Sequence, residues 1–212
     1  MELSIDTSTR YASICISHEG NLLAETCWFS KQNHSVELLP SIDNLLTGNN
    51  LNNKALDCVI IAVGPGGFSA LRVGLSTAKG LSSSLNIPLV ALNTLEIEAY
   101  GFRGLGFQIC SILDMGRGEV AAAIYNGLDE GWACIEEGNV SNVEGLCASI
   151  DTKTVFCGEA VQKYGESINE VLGDLAVVAK QILPTRMPAI IAHMGYNKFR
   201  RMEFENLSTV EP

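Results

Sequence analysis

Gly64-Pro65-Gly66-Gly67-Phe68-Ser69-Ala70-Leu71-Arg72-Val73-Gly74 lies between an apolar run, Cys58 to Val63, that reads as a strand, and a helix expected to begin near Ser69. The glycines and the proline force a tight turn that most side chains could not make. Ser69 is expected to cap the helix, whose first N–H groups have no internal partner and suit a cap or an anion. A Walker phosphate loop needs Lys then Ser or Thr after its second glycine, and neither follows here. A dinucleotide fingerprint needs glycine where Ser69 stands. A plain strand–turn–helix connection is the third reading, and the residues alone leave it open.

Working outward, period-two alternation predicts strands near 2–7, 11–18 and 21–29, with Glu19-Gly20-Asn21 as the hairpin turn between the second and third. A helix is expected over 34–47, where Leu38, Leu39, Ile42, Leu45 and Leu46 share one face. After the strand at 58–63 come a helix over 69–85, a strand at 88–91 and a helix from Thr94, with Asn86 and Pro88 as the stop between them. The second half predicts strands near 107–114, 118–126, 131–136 and 153–157, and helices near 142–149, 160–170 and 185–201. Pro188 falls in the first turn of the last helix, where a missing N–H costs little.

The order of elements restarts midway. Ile5-Asp6-Thr7-Ser8 leading into Ala12 to Ile16 can be laid over Leu113-Asp114-Met115-Gly116 leading into Ala121 to Tyr125. Each aspartate closes a strand and enters a polar turn. The expected fold is therefore α/β, with two tandem β-β-β-α-β-α units and the second degenerate in pattern. The boundary is placed among Gly101, Gly104 and Gly106, giving an N-terminal unit over 1–103 and a C-terminal unit over 104–212.

With 47% hydrophobic and 18% charged residues in 212, the chain can bury a real core and is not of disordered composition. No apolar run reaches the ~18 residues of a membrane span, and Glu2 and Asp6 stand where a secretion signal would be basic. A cytoplasmic protein is expected. The net charge of −10 argues against direct nucleic-acid binding, which needs clustered Lys and Arg. The densest basic spot, Lys198, Arg200 and Arg201, complements a helix end. Seven cysteines occur singly with no C-x-x-C pair, so reduced, mostly buried thiols are expected and no zinc site of that spacing.

The glycine-rich run resembles the GPGSFTGLRVG signature of the TsaB (YeaZ) family, with Gly67, Ser69 and Ala70 departing from it. Leu3 to Ser8 resembles that family's opening strand and turn, and His34-Ser35 with Leu38-Leu39-Pro40 its first helix. Leu113-Asp114-Met115-Gly116-Arg117-Gly118-Glu119-Val120 resembles its D-x-R-x-G-E-V element. The likeness spans roughly residues 2 to 126 and is weak beyond. Val210-Glu211-Pro212 resembles the start of a family tail that continues into Tyr-Leu-Arg, so the chain is expected to be truncated there or to end early.

The resemblance implies an actin-like ATPase fold (ASKHA, ribonuclease H-like). In that fold strand–turn–strand loops grip phosphates, which makes Asp6, Thr7 and Ser8 the nucleotide-binding candidates. The second loop at Asp114 lacks the hydroxyl and glycine pair for this, and Cys157-Gly158-Glu159 is a thin substitute for an adenosine motif. The competing reading is that Asp6 and Asp114 satisfy turn backbone groups. The catalytic relative, TsaD, carries an H-x-x-x-H metal pair whose positions correspond to Thr94 and Glu98 here, a poor donor set for iron or zinc. His18, His34 and His193 are isolated in sequence.

No catalytic residue and no metal site is therefore expected. The implied function is that of a scaffold or activator of threonylcarbamoyl transfer to adenosine 37 of tRNA, paired with a TsaD homologue and joined by a TsaE homologue. The implied partner-binding residues are Leu39, Asp43 and Leu46 on the first helix and Arg72, Ser76, Lys79, Gly80 and Ser83 on the second. Small side chains at Ser76, Gly80 and Ser83 would let another helix approach closely. A homodimer could use the same surface, and ATP at the partner interface is the one cofactor left open. The alternative is a stand-alone nucleotide-binding enzyme, either a phosphotransferase or a glycoprotease-like peptidase.

Overall fold

A computed structural model describes residues 1–31, 33–179 and 186–212. The chain divides into two compact units, Met1–Thr94 with Met187–Pro212, and Leu95–Arg186. The first opens with β1 (Glu2–Asp6), β2 (Tyr11–His18) and β3 (Asn21–Phe29), then α1 (His34–Gly48), β4 (Cys58–Gly64), α2 (Phe68–Leu85) and β5 (Leu89–Asn93). The helix α3 (Thr94–Tyr100) leads into β6 (Gln108–Gly116), β7 (Glu119–Tyr125), β8 (Cys134–Asn142), α4 (Val143–Ala148), β9 (Thr154–Cys157), α5 (Val161–Leu172) and β10 (Ala176–Val178). The helix α6 (Pro188–Arg200) follows.

Each unit holds a mixed five-stranded sheet, β3-β2-β1-β4-β5 in one and β8-β7-β6-β9-β10 in the other. The two orders are the same when each repeat is numbered from its own first strand, so the restart seen at Asp6 and Asp114 is a duplication of topology. In both, the first two strands pair antiparallel and the first strand pairs parallel with the fourth.

The hairpin between β2 and β3 turns at Glu19 and Gly20, whose φ values of 51° and 74° match the strand twist. The buried Glu2 carboxylate completes this turn, accepting from the Ser17 hydroxyl at 2.6 Å and from the Glu19 and Gly20 N–H groups at 3.2 and 3.3 Å. In α1, Leu38, Ile42, Leu45 and Leu46 pack against Leu3, Ile5, Ile14, Ile16, Val59 and Ile61. Pro40 sits inside the helix on its solvent side, so the hydrogen bond it omits is one that water can replace. The helix α2 ends at Asn86, left-handed at φ 55°, with Pro88 after it.

Both faces of each sheet are covered by helices. Opposite α1 and α2, the first sheet is covered by α6, where a Cβ on Gly195 would lie 2.5 Å from the Ile60 side chain. In the second unit, α4 and α5 pack on Cys110, Ile112, Val120, Ala122, Ile124 and Phe156. Leu95 and Ala99 of α3 pack on Ile109, Leu113, Ala121, Ala123 and Val155. The helix that closes the first repeat thus belongs to the second unit, and the helix after the second repeat belongs to the first.

This exchange separates the compact units from the expected 1–103 and 104–212 division. The glycines at 101–106 mark a loop inside the second unit, and residues 187–212 return to the first. Other differences are local. Phe68 rather than Ser69 opens α2, and Gly67 occupies the cap position with no side-chain bond; Ser69 lies within the first turn and is not the cap. The strand expected at 131–136 runs over Cys134–Asn142, and β10 was not expected at all. The last helix begins at Pro188; its expected start at residue 185 lies outside the described residues.

Candidate functional site

The glycine-rich turn is built around the loop that follows β1. Asp6, Thr7 and Ser8 are each 0% exposed. Asp6 Oδ1 accepts from the Ser8 N–H at 2.9 Å and from the Ser8 hydroxyl. Thr7 Oγ1 donates to the Ala70 carbonyl at 2.7 Å, and the Ser8 carbonyl accepts from the Gly67 N–H at 2.7 Å. Only glycine permits this closure: a Cβ at Gly66 would lie 2.2 Å from the Ser8 oxygen, and one at Gly74 2.3 Å from Thr7 Oγ1. The three nucleotide-binding candidates are therefore brought together, but both hydroxyls and Asp6 Oδ1 are engaged by the chain's own strand–turn–helix. That is the structural reading of the aspartate, in which it satisfies turn groups.

Asp114 does the same in the second repeat, accepting from the Gly116 N–H at 3.0 Å. Its other oxygen accepts from Lys163 Nζ at 2.8 Å, and Tyr164 donates to Oδ1 at 3.3 Å. Partial burial pushes this carboxyl up, but the bonds from Lys163, the Gly116 N–H and Tyr164 outweigh it and hold it below the usual 3.8.

At the position implied for a metal, Thr94 is buried and its hydroxyl has no partner among the described residues. Glu98 is taken by a cation of the chain itself. Arg186 Nη1 donates to Glu98 Oε1 at 3.1 Å and to Glu159 Oε1 at 3.0 Å. The Arg186 side chain is 0% exposed and that of Glu98 2%. Sequence reasoning missed Arg186, a single basic residue without a motif around it. Among the described residues no group of three His, Cys, Asp or Glu side chains could hold a metal ion.

The histidines and thiols add no reactive constellation. His34 Nε2 lies 3.1 Å from the Thr9 carbonyl, which can only accept, so Nε2 carries a proton and ties the start of α1 to the β1–β2 loop. Burial pushes the Cys15 and Cys58 thiols up to about 12, the opposite of nucleophile activation. Cys110 and Cys157 are raised for the same reason.

Of the partner-binding candidates, Leu39 is 56% exposed. Asp43, Arg72, Ser76, Gly80 and Ser83 are exposed and Lys79 is half-buried. The exposed members fall on the solvent faces of the adjacent helices α1 and α2. A Cβ at Gly80 would meet nothing within 4 Å, and the Arg72 guanidinium lies 3.8 Å from the centre of the exposed Phe68 ring. Leu46 is corrected: at 1% exposure it belongs to the core, because its place on the helix turns it onto β1 and β2.

Residues 28–208 match the family model for TsaD, tRNA N6-adenosine threonylcarbamoyltransferase. The tRNA threonylcarbamoyladenosine biosynthesis protein TsaB of Bacillus subtilis is 30% identical over 201 residues, covering 92% of this chain and 87% of that protein. TsaB of Escherichia coli is 29% identical over 133 residues, 61% of this chain and 56% of its own length. The solved structure of YeaZ from Pseudomonas aeruginosa superposes with a TM-score of 0.82 at 24% identity, covering 100% of this chain and 97% of that one. The duplicated five-stranded units are those of the actin-like ATPase fold. The match over nearly the whole length, together with the four motifs seen in the sequence, means that the chain belongs to the TsaB (YeaZ) family of glycoprotease-like proteins.

Proposed function

We propose that the chain acts in tRNA threonylcarbamoyladenosine biosynthesis as a non-catalytic scaffold and activator subunit, in the cytoplasm. In this reading it pairs through the outward faces of α1 and α2 with a TsaD-type transferase, which carries the chemistry on adenosine 37, and a TsaE-type ATPase joins them. The names of its relatives support the pathway. The observation that supports the non-catalytic part is the closure of Asp6, Thr7 and Ser8 beneath Gly66 and Gly74, in which both hydroxyls and one carboxylate oxygen are already bonded within the chain. Among the described residues, no helix is long and apolar enough to cross a membrane.

The partner surface is supported by chemistry as well as exposure. Ser76, Gly80 and Ser83 recur at helical spacing with nothing above Gly80, so the backbone of a partner helix can come close. Leu39 and Phe68 supply apolar contact, and Asp43, Arg72 and Lys79 a polar rim. A second copy of this chain would compete for the same face.

The test is co-elution from a sizing column with the TsaD-type transferase of the same organism, each protein also run alone. A stable heterodimer that Leu39→Asp and Ser76→Arg weaken, with unfolding unchanged, is the expected result. Failure to associate with or without ATP overturns the scaffold reading. Tight magnesium-dependent ATP binding to the isolated chain, lost in Asp6→Ala, would instead support the stand-alone enzyme and count against the scaffold.

A further inference from the structure

The first sheet has two edges, and the chain treats them differently. β3 leaves Leu23, Glu25, Cys27 and Phe29 exposed and carries a charge along its length. β5 offers the uncharged run Leu89-Val90-Ala91-Leu92, free of proline and buried throughout. Such a segment with a bare edge readily pairs with its own kind.

Successive residues of a strand direct their backbone polar groups to alternate sides. The Pro88 carbonyl points inward, accepting from the Val59 N–H of β4 at 3.0 Å. The Leu89 and Ala91 carbonyls therefore point outward, and both are taken by the C-terminal part of the chain. The Leu89 oxygen accepts from the Glu205 N–H at 2.8 Å, and the Ala91 oxygen from Lys198 Nζ at 3.1 Å. The segment beyond α6 is anchored at its far end. Val210 is 9% exposed within the core cluster, and Leu207 packs against that cluster. Asn206 shapes the turn between them, accepting from the Ser208 N–H at 2.9 Å on its side chain and from the Val210 N–H at 3.0 Å on its carbonyl.

We propose that residues 203–210 are an edge strap whose role is to keep β5 from adding a strand of a second copy of this chain. A second copy is the occupant because a short uncharged apolar strand is its own complement in an antiparallel, two-fold pairing. The strap closes the edge at the Leu89 acceptor, beside the Ala91 acceptor that Lys198 of α6 holds, and its release exposes the Leu89 oxygen on the uncharged edge of Leu89 to Leu92.

The experiment uses the full chain with Leu39→Asp, which silences the helix face, and compares it with the same chain carrying Val210→Asp or Glu205→Pro. The first removes the apolar anchor, and the second removes the N–H given to Leu89. Sedimentation velocity over a concentration series reads self-association, and hydrogen exchange at the backbone amide of position 210, relative to the intrinsic rate of the residue there, reads whether the strap is seated. Released variants are expected to lose protection of the position-210 amide and to self-associate about tenfold more tightly, the scale of one or two hydrogen bonds exchanged between partners. A folded variant that exchanges faster but sediments as its parent overturns the proposal. So does a pair of folded variants in which the position-210 amide stays protected, since the strap would then not depend on either attachment. Should Val210→Asp fail to fold, Glu205→Pro decides alone, because it leaves the core untouched.

Discussion

Replacing Arg186 with Met should unfold the second unit at markedly lower denaturant. The guanidinium is 0% exposed and bonded to two carboxylates, of which Glu98 is 2% and Glu159 20% exposed. Removing the cation takes the Arg186 ion pair from the buried Glu98 carboxylate, and breaking a buried pair in this way costs about 3–5 kcal/mol. Glu159 can turn toward water and adds little to that. Removing both buried charges, as in Arg186→Met with Glu98→Leu, should recover most of the loss, because an apolar replacement of a whole buried pair is close to neutral. Each unit holds one tryptophan, Trp28 and Trp132, and Trp132 stacks on Tyr125 at 4.9 Å within the second. Urea unfolding followed by Trp132 fluorescence in a Trp28→Phe background therefore reports the affected unit. A loss below about 1 kcal/mol for the single variant, the scale of an ordinary hydrogen bond, would refute the argument. So would a double variant no more stable than the single.

Leu46→Ala should cost ~2–5 kcal/mol as a core truncation, whereas Leu39→Asp seven residues earlier should change the unfolding midpoint little; equal losses would place Leu39 in the core. Gly74→Ala sets a methyl 2.3 Å from Thr7 Oγ1 and 3.3 Å from Ile61 Cδ1, and overpacking of this kind costs about 1–3 kcal/mol in thermal or chemical melts. Lys163→Met tests the depressed Asp114 carboxyl. A carboxyl lowered in the folded state contributes stability above its ordinary 3.8 and loses it as pH falls through the lowered value. The difference between parent and variant should thus be present at neutral pH, small because the pair is exposed, and absent in acid melts; a difference that persists in acid would assign Lys163 a packing role instead.

Much of the fold was legible because its first half speaks in strong periods. Ile5, Ile14 and Ile16 alternate with polar residues, Leu38 to Leu46 fall on one helical face, and Asn86 with Pro88 ends α2. The aspartates at 6 and 114 revealed the duplication because each sits at the same place in a hairpin. β8 was misplaced for the opposite reason. Its Glu-Glu-Gly-Asn centre is exposed on both faces, and a strand with no buried side has no alternation to read. β10 is three residues long, too short for any period. The site divides in the same way. The outward stripe of α2 follows from spacing, while the burial of Leu46 required knowing which flank of α1 meets the sheet. Arg186 gave no sign, since its importance comes from two carboxylates 27 and 88 residues distant in sequence. The strap at Glu205 was equally silent, being a backbone bond that no side chain announces.

The exchanged helices bear on how the protein is made. Domains ordinarily fold in the order they leave the ribosome, N-terminal first. Here the first unit includes Met187–Pro212 while the second is continuous over Leu95–Arg186. During synthesis the second unit has all of its sequence before the first does, and β1 to β5 wait with one sheet face bare until residues 187–212 emerge. The Gly195 surface that will cover Ile60 and the segment that will close β5 arrive together, after the whole of the second unit. A nascent chain stalled before Met187 should therefore be one that chaperones hold, because the N-terminal unit can close only after the second unit has been made.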